Sequence, residues 1–295
     1  MKVRFPLLVG TIVAAACLAA GGAVTASAAT PTAPASAPSL PAGVTEHGLQ
    51  YVPNIPIPPT HPQGITKPSN TVYSANWAGY AVVANAGEQF DMVGANFNVP
   101  SVNCAKSPIG SYGASFASHW VGIDGYSSAT VEQTGASAYC DTTGTPTYYV
   151  WYEMYPLNPV AFTGVSPGDA ISATVTYNST ANTYHMNVTD ITTGAAVTST
   201  QSCPKGSTCL NSSAEVITED PGGAVASGVN LADFAMVNFT ATRVTDLAGL
   251  SGTLSASTDW TSSNMIMEDT SGTVMATPSG LYGGRSFNTT WNSAT

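Results

Sequence analysis

Thr147-Tyr148-Tyr149-Val150-Trp151-Tyr152-Glu153-Met154-Tyr155 reads as a β-strand. Aromatic and β-branched residues suit a pleated surface. The two-residue side-chain period sends Tyr149, Trp151, Glu153 and Tyr155 to one face and Tyr148, Val150, Tyr152 and Met154 to the other. The same alternation recurs outward from this stretch. Val93, Ala95, Phe97 and Val99 alternate with polar or small residues within Asp91 to Pro100, and Tyr184, Met186 and Val188 do so within Thr183 to Asp190. Turn residues (Gly, Asn, Asp, Pro) separate these runs, and helix signals are nearly absent. Many short strands at such spacing predict an all-β fold, an antiparallel sandwich or barrel.

Residues 1–28 read as a secretory signal peptide. Lys2 and Arg4 precede an apolar run from Leu7 to Ala20, and Ala26-Ser27-Ala28 supplies small residues at a cleavage site. The apolar run is short for a membrane span. Residues 29–70 read as a Pro-rich propeptide. Ten of the chain's 20 prolines fall between Thr30 and Pro68, a composition expected to form neither regular helix nor sheet. An extracellular linker is the alternative, but no folded part precedes the segment for a linker to join. Residues 71–295 suit one large all-β domain with a sizeable core.

Sixteen of the 17 acidic residues but only four of the seven Lys/Arg (Lys106, Lys205, Arg243, Arg285) lie from Thr71 onward, a net charge of −12. That balance argues against nucleic acid or an anionic membrane as partner. In acid the carboxylates neutralise, and only those four residues, His119, His185 and the terminus are expected to stay positive, so self-repulsion stays small. The composition suits a protein working in acid. Four cysteines follow the signal segment, an even number that suggests two disulfides in a secreted chain. Cys203 and Cys209 flank a short loop that a bridge could close, and Cys104 with Cys140 follows by default. Zinc is not expected: there is no paired C-x-x-C, and the domain holds two histidines.

Three strand-like segments carry polar groups among aromatics. In His119-Trp120-Val121-Gly122-Ile123-Asp124-Gly125, Trp120 and Asp124 share a face, and Gln133 follows shortly in Glu132-Gln133-Thr134-Gly135. The second segment is the aromatic strand with Glu153. In the third, Ala214-Glu215-Val216-Ile217-Thr218-Glu219-Asp220, the carboxylates of Glu215 and Glu219 share a face roughly 13 Å apart along the strand. A single Glu on a strand face is more often solvated than functional, and aromatic strands are more often core. Other motifs do not fit. Gly164-Val165-Ser166-Pro167-Gly168 matches G-x-S-x-G, but a strand rather than a helix follows it, so it reads as a turn. Asp141-Thr142-Thr143-Gly144 and Asp269-Thr270-Ser271-Gly272 are each one residue too long for the aspartic peptidase Asp-Thr/Ser-Gly, and no H-E-x-x-H occurs.

The order of the segments resembles the glutamic peptidase family, the eqolisins (peptidase family G1). The matching pieces are Ser74-Ala75-Asn76-Trp77-Ala78-Gly79, Trp120 to Gly125, Gln133-Thr134-Gly135, Trp151-Tyr152-Glu153-Met154-Tyr155-Pro156 and Ala214 to Asp220. The resemblance spans about Ser74 to Trp291. It implies an antiparallel two-sheet β-sandwich of lectin/glucanase-like architecture, made as a precursor with an inhibitory propeptide and cleaving proteins in acid with a Gln/Glu pair. By position Gln133 matches the catalytic glutamine and Glu219 the catalytic glutamate, while Trp120, Asp124 and Glu153 match residues lining the cleft. Met154 and Ser137 stand where fungal members tend to have tryptophan and aspartate, which bears on subsite preference and on hydrogen bonding in the cleft.

Such a pair makes chemical sense. Peptide hydrolysis by water needs a base for the water and a donor for the oxyanion, and glutamine does not titrate in acid. Glu219 as base must stay partly ionised, so its pKa is expected not to be raised far. The expected partners are protein or peptide substrates and the chain's own propeptide as inhibitor, with no cofactor, nucleic acid or membrane; a monomer is the working form. Two other classes compete. A glycosidase would need two carboxylates about 5 to 10 Å apart, for which Glu153 with Glu219 is the candidate. A carbohydrate-binding sandwich fits the aromatics but leaves the propeptide-like segment unexplained.

Overall fold

The computed structural model describes residues 38–53, 71–85, 87–221 and 229–295; the expected signal peptide lies outside them. Among these residues the chain forms β1 (Val44–His47), β2 (Gln50–Val52), β3 (Thr71–Ser74), β4 (Trp77–Ala84) and β5 (Phe90–Asn98). A single 3-10 turn at Cys104–Lys106 precedes β6 (Ala114–Ile123), β7 (Val131–Asp141), β8 (Pro146–Tyr155), β9 (Val160–Thr163) and β10 (Ala170–Asn178). Then come β11 (Thr183–Asp190), β12 (Ala196–Ser202), β13 (Ser213–Glu219), β14 (Asn230–Leu231) and β15 (Met236–Asp246). The chain closes with β16 (Ser251–Gly252), β17 (Trp260–Glu268), β18 (Val274–Pro278) and β19 (Phe287–Trp291).

The strands make two layers. The front layer runs β3-β17-β4-β13-β6-β7-β8-β9-β2. The back layer runs β1-β12-β11-β10-β5-β15-β19. β18 pairs with both β17 and β19 and joins the layers on one side, so the sandwich is nearly closed like a barrel. The alternation seen in the sequence sets what lies between the layers. Val93, Ala95 and Phe97 from β5, Ile171, Ala173 and Val175 from β10, and Tyr184, Met186 and Val188 from β11 meet Val121, Val150, Tyr152 and Val216 of the front layer in one buried core. The larger aliphatic and Phe side chains among them each contribute about 1.5–3 kcal/mol by leaving water. The disulfides Cys104–Cys140 and Cys203–Cys209 form as expected.

Two expectations change. The Pro-rich segment was expected to hold no sheet, yet β1 and β2 lie within it and pair with β12 and β9. The reason is local: between Pro41 and Pro53 the chain is proline-free, so every amide there can donate to a ladder. The second concerns His119, expected to be a positive charge in acid. It sits on the inner face of β6 among Phe97, Phe234 and Phe239, with Nδ1 3.1 Å from Thr218 Oγ1. Burial lowers its pKa from 6.5 to about 3, so the imidazole is neutral through most of the acid range.

Candidate active site

The outer face of the front layer is built in three rows that cross β13, β6, β7 and β8. Glu215, Gly122, Gln133 and Glu153 form the first, Ile217, Trp120, Gly135 and Trp151 the second, and Glu219, Ser118, Ser137 and Tyr149 the third. The aromatic members belong to a buried cluster separate from the main core. Trp120 is therefore central: Glu219 and Gln133 are its diagonal neighbours on the two flanking strands, on opposite sides. Glycines make room for its indole. A Cβ on Gly135 would lie 2.2 Å from the His119 carbonyl oxygen and 2.6 Å from Trp120 Cβ, and one on Gly122 would lie 2.9 Å from the Trp120 ring.

Glu219 is fully buried and accepts two hydrogen bonds, from Trp120 Nε1 at 2.8 Å and Asn76 Nδ2 at 3.0 Å. Burial pushes its carboxyl well above the usual carboxylate range. The Trp77 and Trp120 indoles oppose that shift, and repulsion from Glu153 and Asp220 adds to it. Trp120 acts through a complete hydrogen bond, Trp77 by proximity, since its own N–H finds no partner among the described residues. Trp77 packs edge-on against Trp120 with ring centroids 4.9 Å apart. Gln133, also buried, donates from Nε2 to Glu153 Oε2 at 2.7 Å, which fixes the amide's orientation. Ser137 takes the Trp151 indole N–H at 2.7 Å and bonds Ser118 Oγ at 2.6 Å, tying the third row together.

Four of the five expected site residues, Gln133, Glu219, Trp120 and Glu153, thus share this face. Asp124 does not join them. It is the first residue beyond β6 and has φ +69°, which breaks the alternation that would have put it beside Trp120. Its carboxylate instead accepts from the backbone N–H groups of Leu210, Asn211 and Ser212 and from Ser212 Oγ, anchoring the strand entry after the Cys203–Cys209 loop. Met154 also lies elsewhere, on the inner face in the main core, so it does not line the cleft. Asn76 is the contact that sequence reasoning left without a role, although it stands in the quoted Ser74-Ala75-Asn76-Trp77 run. The excluded motifs are turns: Asp141 and Asp269 each cap a hairpin through the backbone N–H groups two and four residues on, and Ser166 is in the β9–β10 turn with Asp169. Among the described residues no group of His, Cys, Asp and Glu could hold a metal ion.

Fold and site together define an all-β sandwich protein in which a buried carboxyl and a side-chain amide flank a tryptophan. Residues 75–291 match the model of the Peptidase A4 family, and the chain belongs to that family, the glutamic peptidases or eqolisins. It is 35% identical over 196 residues to Aspergillopepsin-2 of Aspergillus niger, covering 60% of this chain and 66% of that protein. It is 35% identical over 149 residues to Scytalidopepsin B of Scytalidium lignicola, covering 50% and 52%. The matches thus span just under two thirds of the first relative's length and about half of the second's. The crystal structure of scytalido-glutamic peptidase with a transition state analog inhibitor superposes with a TM-score of 0.59 at 27% identity, over 74% of this chain and 98% of that one. The family to which the chain belongs is one of peptidases, not of carbohydrate-active or carbohydrate-binding proteins.

Proposed function

We propose that the chain is the precursor of a secreted, acid-acting endopeptidase in which Glu219 serves as base and then acid and Gln133 stabilises the oxyanion. The observation that carries this reading is the placement of Glu219 and Gln133 on either side of Trp120, each held by a side-chain hydrogen bond. Ionised Glu219 takes a proton from water as that water attacks the peptide carbon. Gln133 carries two N–H groups on Nε2; one orients it on Glu153, and the other donates to the developing oxyanion. Protonated Glu219 then delivers its proton to the leaving nitrogen, and the C–N bond breaks. The amide keeps its donor at any pH, which suits work in acid.

The full-length chain is the resting state. Gln133 and Glu219 are both 0% exposed, whereas an endopeptidase must admit a polypeptide. In this closed state burial raises the Glu219 carboxyl well above the usual carboxylate range, contrary to the expectation of a modest shift, and so favours the protonated form over the base that the reaction needs. Maturation must admit water and substrate to this face. That removes the dominant cause of the raised pKa and leaves Trp120 and Asn76 as donors favouring the carboxylate. Secretion accords with the signal segment and with two disulfides.

Incubation of the purified full-length chain in acid tests this. A new N-terminus between Pro68 and Ser74 should appear together with casein hydrolysis that pepstatin and chelators leave intact. A full-length chain that is already fully active, or strong inhibition by either reagent, would refute it.

A further inference from the structure

The stretch from Val44 to Val52 is built into the fold at a seam. β1 lies antiparallel to β12, the edge of the back layer, with Val44 opposite Ser199 and His47 opposite Ala196. β2 lies antiparallel to β9, the edge of the front layer, with Gln50 opposite Thr163 and Val52 opposite Ala161. On the other side of the sandwich β18 already joins the layers. The β1–β2 strap therefore closes the side that β18 leaves open, and its partner strands β9 and β12 carry none of the site's polar groups.

The fit is specific. Gly43 and Gly48 have φ of +74° and +72°, and a Cβ on Gly43 would lie 2.5 Å from the Thr200 carbonyl oxygen. Val44 and Leu49 are buried in the main core, and the Tyr51 ring lies 5.6 Å from that of Phe162. Thr200 N–H donates to the Gly43 carbonyl at 2.9 Å and Gln201 Nε2 to the Ala42 carbonyl at 3.0 Å. Without the strap, two sheet edges would present unpaired N–H and C=O groups beside an opened core. Addition of a strand to such an edge is a general mode of peptide binding, with the ladder supplying affinity and alternate side chains supplying selectivity.

We propose that β9 and β12 form a peptide-binding seam whose occupant is residues 43–52 of this chain, and that the segment stays bound, as a separate strand pair, once the chain is cut between it and Thr71. Maturation would then sever this part of the leader without releasing it, giving a two-chain enzyme. The test does not require the chain's own activity. A recognition sequence for a specific protease is inserted within residues 54–70 of the full-length chain, the protein is cut at neutral pH, and gel filtration with mass analysis follows the fragment. Co-elution of the fragment carrying residues 38–53 with the body, in equal amounts, is the expected result; a fragment that elutes alone would overturn the proposal. Gly43→Val with Leu49→Asp in the same chain should release the fragment on cutting, and retention would count against the seam. Should that variant fail to fold, amide exchange on the uncut parent decides: amides of Val44 to Val52 should exchange as slowly as those of β9 and β12, and fast exchange would refute the seam.

Discussion

Strand β6 shows two solutions to burying polarity, one on each face. On the inner face Ala117, Val121 and Ile123 pack into the core, and the one strongly polar member, His119, is kept neutral and bonded to Thr218. On the outer face Ser118, Trp120 and Gly122 lie beside carboxyls that are just as buried: Glu215, Glu219 and Glu153. Both Glu215 oxygens lack a hydrogen bond of good geometry among the described residues, with Ser213 and the Tyr126 backbone near enough only to oppose its upward shift. Burying an unpaired carboxyl is unfavourable, so the outer face is kept at the expense of stability, and its pKa shifts mark it as a site. On the inner face the exception is Glu132, opposite Ile123, whose buried carboxyl is likewise shifted upward; the rest of that face answers to packing. Substitutions on the two faces should therefore separate activity from stability.

The largest effect belongs to the outer face. Gln133→Ala and Glu219→Gln should each lower casein hydrolysis in acid by about 100- to 1,000-fold, with unchanged circular dichroism and no self-conversion. On the inner face Phe239→Ala should do the reverse. Phe239 is fully buried and stacked on Phe287 at 5.0 Å, so urea unfolding should report a loss of about 3–5 kcal/mol, while turnover per folded molecule stays normal.

The pH dependence of stability sharpens the contrast. Glu132, Glu215, Glu219 and Asp220 have pKa values raised well above 4.5 or 3.8 by burial. Each binds its proton more tightly folded than unfolded, so its contribution is complete below the unfolded value and is lost as pH rises through the folded one. His119 has the opposite sense, costing stability as pH falls from 6.5 towards 3. Four groups outweigh one, so the melting temperature of the full-length chain should fall from about pH 4.5 to about pH 7.5. Glu132→Gln and Glu215→Gln should flatten the slope; a melting temperature that rises over this range would contradict the buried carboxyls. The smallest effect is expected at Asp124. Asp124→Asn weakens the anchoring of residues 210–212 and should cost about 1–3 kcal/mol in thermal or urea unfolding, with hydrolysis intact.

Most of the sandwich was legible in the sequence because its strands alternate cleanly; β5, β8 and β11 fall where the period-two pattern puts them. Gln133, Glu153, Trp120 and Glu219 were legible through the order of motifs, and their convergence follows from strand register. Asp124 misled because alternation assumes extended backbone, and a left-handed residue ends it. Asn76 went unassigned because its partner is 143 positions away, a separation that no local pattern reveals. β1 and β2 were hidden by averaging composition over a proline-rich segment whose middle has no proline. The charge of His119 was misjudged because sequence alone did not show that it faces the core.

Glu215 and Glu219 offer the most direct test. They lie on one strand and one face, both fully buried and both shifted upward, yet only Glu219 is held by Trp120 and Asn76. Casein hydrolysis in acid should be compared for folded Glu219→Gln and Glu215→Gln. The result predicted is an inactive Glu219→Gln beside a Glu215→Gln with near-normal turnover. A near-normal Glu219→Gln beside an inactive Glu215→Gln would contradict the assignment and move the general base four residues back along β13.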